Sequence, residues 1–282
     1  MKIDLHTHSS KSDGTMSPTE LVQHAIINGV TVLGLTDHDT VSGWDEATSA
    51  VRGDFQLVLG AEISCLTEDH KSIHMLGLLF DRNNEPLQEV LGASRDDRIP
   101  RMKKMIELMA ADGLKITFDE VLKYLPEGAT LGRPHLADAL VGKGIVKNRD
   151  QAFAEYLAND SKYYVSHSAP TPIQAIKLIK NAGGVAVIAH PYSSMRGEKI
   201  DLASLGALKE AGLNGVEVDH RDHSVEERLN LRAIASELDL VVTGSSDFHG
   251  SGKLNLIGEN VTSPDHWERL ESLANERRVI KK

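Results

Sequence analysis

Short apolar runs recur along this chain at residues 2–6, 31–36, 56–63, 72–80, 185–190, 215–219 and 240–245. Each is rich in Val, Ile and Leu and bounded by polar residues or Gly. Runs of that length with such boundaries predict buried β-strands. Between most of them the apolar positions spread out to a helical period. Ser17, Pro18 and Glu20 form a capping-box signature ahead of Leu21, Val22, Ala25 and Ile26. Thr171-Pro172 opens another helix, which stops at Gly183-Gly184. Strands alternating with helices predict a parallel sheet, open or closed into a barrel.

Residues 93–165 break this rhythm. The stretches 94–112, 117–125, 132–143 and 148–158 all carry helical patterning, with no strand between them. The chain therefore divides into a core built from 1–92 and 166–282 and an all-helical subdomain inserted at 93–165. The first insertion helix carries Arg95, Arg98, Arg101, Lys103 and Lys104 against Asp96 and Asp97, a local basic patch.

That patch matters because the 282-residue chain is acidic overall, with a formal charge of −10. Proteins that grip long nucleic acid by its backbone are usually basic, since phosphate neutralisation dominates their affinity. A small anionic substrate remains compatible if positive charge is gathered at the site. No run of about 18 apolar residues predicts a membrane span, and the opening MKIDLHTHSS lacks the apolar region of a signal peptide. A single cysteine, Cys65, builds no disulfide framework and reads as a small buried hydrophobe; a cytoplasmic location is expected. Histidine is the compositional outlier, at 13 residues.

The histidines and carboxylates fall at telling places. Alternation sets His6 and His8 on one face at the end of the first strand. Thr36-Asp37-His38-Asp39 closes the second strand, Glu62 lies near the end of the third, His74 lies in the fourth, His190-Pro191 ends the fifth, and Asp247-Phe248-His249 follows the last. Functional side chains in α/β folds gather at the C-terminal ends of strands. Buried charged groups must be paired or bind metal, so this recurrence points to a polynuclear metal site rather than to core packing.

His6-x-His8, Asp13, Asp37-His38, Glu62, His74, His190-Pro191 and Asp247-x-His249 together resemble the motif set of the PHP (polymerase and histidinol phosphatase) superfamily. The stretches IDLHTHSSKSDGTMSP, GLTDHDT and SSDFHG carry the likeness. The helical insertion resembles the subgroup that hydrolyses nucleoside 3′,5′-bisphosphates, whose relatives trim RNA from the 5′ end. The resemblance implies a distorted (β/α)7 barrel and three divalent ions, with Mn²⁺ favoured and Fe²⁺ or Zn²⁺ as alternatives. It assigns His6, His8, Glu62 and Asp247 to one ion, Glu62, His74 and His190 to a second, and Asp13, His38 and His249 to the third. A metal-bridging hydroxide would attack phosphorus, and Asp37 and Asp39 would orient ligand histidines from behind.

The phosphate-binding candidates are Arg133 and His135 of Gly132-Arg133-Pro134-His135, which resembles a family segment, the pair Arg98 and Arg101 one helical turn apart, Arg196 in the loop after His190, and His220 after the sixth strand. His223 reads as a substrate neighbour or plain surface, and His24, His70, His167 and His266 as structural or solvated. The expected reaction is removal of the 3′-phosphate of a small nucleotide bisphosphate. Histidinol-phosphate hydrolysis and 5′→3′ attack on short RNA are the alternatives, and a metal amidohydrolase is the competing class. No membrane or protein partner is expected.

Overall fold

The computed structural model describes residues 1–69, 71–166, 168–193, 199–275 and 279–282. All seven expected strands form: β1 (Ile3–Thr7), β2 (Val32–Leu35), β3 (Gln56–Leu66), β4 (Ser72–Leu78), β5 (Val185–Ala189), β6 (Gly215–Asp219) and β7 (Val241–Gly244). They lie side by side in chain order. The ends of the sheet approach closely enough for the His8 N–H to donate to the Phe248 carbonyl at 2.9 Å, so the sheet curls into a nearly closed barrel. A short β8 (Val279–Ile280), not foreseen from the sequence, pairs with β3.

The expectation of a parallel sheet fails at one strand. β4 runs antiparallel to both β3 and β5, with Ser64 opposite His74 and His74 opposite Ala189. Five residues separate β3 from β4. A parallel return needs a crossover of a dozen or more residues, so a hairpin is the connection available.

Helices α1 (Pro18–Ile27), α2 (Trp44–Ala50), α7 (Pro172–Asn181), α8 (Leu202–Ala211) and α9 (Val225–Glu237) cover the barrel. Leu21, Val22, Trp44, Ile176, Leu205 and Leu231 from these helices share one core with Leu57, Leu59, Ala61 and Ile63 of β3. The alternate β3 positions, including Val58 and Glu62, face the other way. Val58, Leu76 and Val187 join a second cluster with Trp267 and Leu270 of α10 (Pro264–Ser272). Inward-facing side chains are thus apolar at one end of the barrel and ionisable at the other.

The helix expected over 94–112 begins earlier, as α3 (Glu85–Ala111), and passes through Pro100. Its Leu87 and Leu91 belong to the barrel core, whereas Met102, Met105, Ile106 and Met109 pack in a separate cluster. One helix therefore serves two cores and carries the chain rigidly from barrel to insertion. That separate cluster also takes residues from α4 (Phe118–Leu122), α5 (Arg133–Gly142), α6 (Arg149–Ala152) and a π-helical turn at Phe153–Leu157. Among the described residues, no helix is long and apolar enough to cross a membrane.

Candidate metal centre

His6 belongs to β1, Glu62 to β3, His74 to β4 and Glu217 to β6, while His190 directly follows β5. His38, Asp247 and His249 sit on loops just past β2 and β7, and Asp13 on the loop after β1. The reversed direction of β4 is what brings His74 here: lying near the start of its strand, it reaches the rim where the other strands end. Asp39, His190 and Asp247 hold the left-handed backbone conformation, with φ of +52°, +29° and +52°. Non-glycine residues persist there when the surroundings over-determine them, as functional sites often do.

The donor atoms converge. His6 Nε2 lies 3.0 Å from His8 Nε2. Glu62 Oε2 stands 3.3 and 3.2 Å from these two nitrogens, and Asp247 Oδ1 stands 3.4 and 3.2 Å from them. Four donors each about 2.1 Å from a shared tetrahedral centre would stand about 3.4 Å apart, so these spacings fit one ion. The other oxygen of Glu62 looks elsewhere: Oε1 is 2.5 Å from His74 Nδ1 and 3.0 Å from His190 Nε2. Asp13 lies 3.2 Å from His249 Nε2 and 3.7 Å from His38 Nε2. His8, Asp13, His38 and His249 form a further group whose ligand atoms lie within 4.8 Å of one another, as do His38, Glu62 and His74.

Burial alone would protonate these carboxylates, yet the neighbouring imidazoles outweigh it. Glu62 is held well below its ordinary range by His74 and His6, and Asp247 by Lys253 and His6. Burial drives His38 well below its usual value and His249 down to about 4, so both keep a free lone pair at neutral pH. Glu62 Oε2, Asp247 Oδ1, His38 Nδ1 and His249 Nε2 are all buried without a well-aligned hydrogen bond. Buried anions facing neutral imidazoles whose polar atoms lack partners suit divalent cations. The chain carries His, Asp and Glu clusters able to hold metal ions.

Glu217 escaped the sequence reading. It is fully buried, and its Oε1 accepts from His6 Nδ1 at 3.1 Å while its Oε2 accepts the His190 N–H at 2.9 Å. A bond to Nδ1 aims His6 Nε2 into the cluster. The signal was present: Glu217 interrupts Val216 and Val218, which put their own side chains into the apolar core. Asp37 accepts from the Ser9 N–H and hydroxyl and from Ser12, and only Ser12 touches a histidine, at 3.4 Å from His8 Nδ1. The expectation that Asp39 orients a histidine is corrected: its carboxylate takes the Ser64 N–H and hydroxyl and pairs with Arg98.

A cavity of about 350 Å³ opens from the cluster toward the insertion. His38, His74, His190, Asp247 and His249 line it together with Arg98, Arg101, Arg133, Arg149, Arg221 and Lys253, the last of which pairs with Asp247 at 2.7 Å. Arg98 lines the cavity while its guanidinium is tied to Asp39, Ser64 and the Leu131 carbonyl. Arg101 donates to the Val165 carbonyl and lies over Tyr164. Arg133 donates to the Leu157 carbonyl and Asn159 and contacts the faces of Phe153 and Tyr164. His135 does not line the cavity; it is buried, and its Nδ1 accepts the Gly132 N–H at the start of α5. His220 likewise packs behind Asp247, at 3.5 Å, rather than facing the cavity. Arg196, His70 and His167 lie outside the described residues. Arg149 and Lys253, unremarked in the sequence, reach the cavity from segments whose local pattern records no proximity to it.

A profile of the PHP domain matches residues 4–166. A 3′,5′-nucleoside bisphosphate phosphatase of Chromobacterium violaceum is 33% identical over 252 residues, covering 89% of this chain and 88% of its own. A 5′-3′ exoribonuclease of Haemophilus influenzae is 35% identical over 274 residues, covering 95% and 99%. A solved structure described as a metal-dependent phosphoesterase from Bifidobacterium adolescentis superposes with a TM-score of 0.91 at 40% identity, covering 96% of each chain.

Proposed function

Since the chain belongs to the PHP family and is a metal-dependent phosphoesterase, we propose that it removes the 3′-phosphate of a nucleoside 3′,5′-bisphosphate. The observation that carries this reading is the two-ended cavity. One end is the His and carboxylate cluster; the other is a wall on which Arg101 and Arg133 are held by carbonyl groups and aromatic faces. A substrate with two separated phosphates matches two cationic ends, and an aromatic side chain, Phe153, against which Arg133 rests, also lines the cavity.

We assign three ion positions. His6, His8, Glu62 and Asp247 hold the first, Glu62 with His74 and His190 the second, and Asp13, His38 and His249 with His8 the third. The opposed directions of the two Glu62 oxygens support its bridging role. The mixed nitrogen and oxygen donor set suits Mn²⁺, with Fe²⁺ or Zn²⁺ also accommodated. When bound, such ions activate water at neutral pH and offset charge on the phosphoryl oxygens. The chain's own part is to hold the scissile phosphate between that cluster and Lys253, to fix the second phosphate at Arg101 and Arg133, and to keep His6 oriented through Glu217.

The test is hydrolysis of a panel of nucleoside 3′,5′-bisphosphates, nucleoside monophosphates, short 5′-phosphorylated RNA, histidinol phosphate and cyclic amides, read as phosphate release for the phosphomonoesters and by chromatography of the products for RNA and amides. The bisphosphates should give the highest kcat/KM. A preference for histidinol phosphate or an amide would overturn the proposal. Preference for RNA would instead favour the second reading, which the Haemophilus relative supports.

A further inference from the structure

The proposed ion positions differ in what holds their ligands. His6, Glu62 and His74 are strand residues, locked by the sheet ladder, and Glu217 from another strand braces His6. His8, His190 and Asp247 lie just past strand ends, so the first two positions mix strand and loop ligands, whereas Asp13, His38 and His249 all stand on loops. Side chains on loops need support from elsewhere to hold ligand geometry.

That support comes from the helical insertion. On α3, Arg95 donates to the Asp39 carbonyl and Arg98 pairs with the Asp39 carboxylate, pinning the residue next to His38. On α6, Arg149 sends Nη1 to the Asp13 carbonyl and to the Gly252 carbonyl, each at 3.4 Å, joining the Asp13 loop to the one that carries His249. Asp138 of α5 holds that guanidinium by two bonds of 2.6 Å, to Nε and Nη2. A Cβ at Gly252 would collide with Arg149 Nη1, so a side chain there would push the guanidinium aside. The Thr130 N–H adds a 2.9 Å bond to the Lys11 carbonyl. The two loops are also stitched directly, the Thr15 N–H donating to the His249 carbonyl at 3.1 Å.

We propose that the helical insertion braces one ion position: the arginine clamp of Arg98 and Arg149 fixes the loops of Asp13, His38 and His249, so that this ion depends on the insertion most. The inference rests on the metal-dependent reading above, and it makes Arg98, Arg149 and Asp138 positioning residues.

The experiment strips the full-length protein of metal, reloads it with Mn²⁺, and counts ions per chain by elemental analysis and calorimetry. It compares wild type with Arg149→Met, Asp138→Asn, Arg98→Met and Arg98→Lys. Asp138→Asn tests the clamp without altering a cavity residue, and circular dichroism confirms folding. The expected result is that one ion binds about 10- to 100-fold more weakly in the Met and Asn variants, the scale for loss of an outer support. The remaining ions should weaken much less, and Arg98→Lys should recover part of the loss. Unchanged affinity of every ion, or equal weakening of all of them, would overturn the clamp. A wild-type chain that takes up no metal would overturn the metal assignment itself, and the clamp with it.

Discussion

Glu217→Gln isolates a residue that no sequence motif flagged. The substitution keeps shape and removes one acceptor. In the folded chain both carboxylate oxygens are used, Oε1 for His6 Nδ1–H at 3.1 Å and Oε2 for the His190 N–H at 2.9 Å. An amide has one acceptor oxygen, so its NH₂ must face one of these two donors. An unmatched buried donor costs about 1–3 kcal/mol. Loss of an outer hydrogen bond to a ligand histidine typically lowers metal affinity by about 10- to 100-fold, or about 1.4–2.8 kcal/mol, and the two estimates agree. The assay is phosphate release against Mn²⁺ concentration after chelation and reloading. The Mn²⁺ needed for half-maximal rate should rise about 10- to 100-fold, with the rate at saturating metal largely retained. An unchanged metal dependence in a folded variant would refute the orienting role of Glu217.

Three further outcomes follow from the same geometry. Burial lowers His8, but hydrogen bonds to Asp247 and Glu62 raise it to about 9, so the metal-free protein keeps this proton at pH 7.5. Metal must displace it; loading should therefore release protons, and apparent affinity should fall about tenfold per proton for each pH unit below 9. Calorimetry in two buffers of different ionisation enthalpy measures the release, and a flat affinity between pH 7 and 8.5 would contradict it. Asp247→Asn removes a charge 3.2 Å from His8 Nε2 and breaks the Lys253 ion pair, and should cut phosphate release by about 100-fold or more while the fold survives by circular dichroism. Arg133→Ala should lower kcat/KM for bisphosphates by about 10- to 100-fold, the scale of a charge-assisted hydrogen bond, and leave monophosphates much less affected. Equal losses on both would remove Arg133 from the second-phosphate site.

Much of this protein was legible in the chain because burial leaves a periodic trace. Runs of Val, Ile and Leu bounded by polar residues or Gly marked seven strands, and the ionisable residues interrupting or ending those runs marked the rim. Position in the motif set also placed His6, His8, Glu62 and Asp247 in one group, and their ligand atoms lie within 4.8 Å of one another. Glu217 sat within reach of the same logic, since a carboxylate between two core valines needs a partner.

What the chain alone decided was which side chains face inward and which strands end in ligands, because residue alternation is a local property. The tertiary structure decided direction and distance. It turned β4 around, so that His74 meets Glu62 at 2.5 Å from the start of its strand instead of the end. It committed Arg98 to Asp39, placed His135 at a helix start, and carried Arg149 from the insertion to loops more than one hundred residues away in sequence. Periodicity records the face an element buries; it holds no information about what lies opposite, and in this fold the opposite partner sets each residue's role.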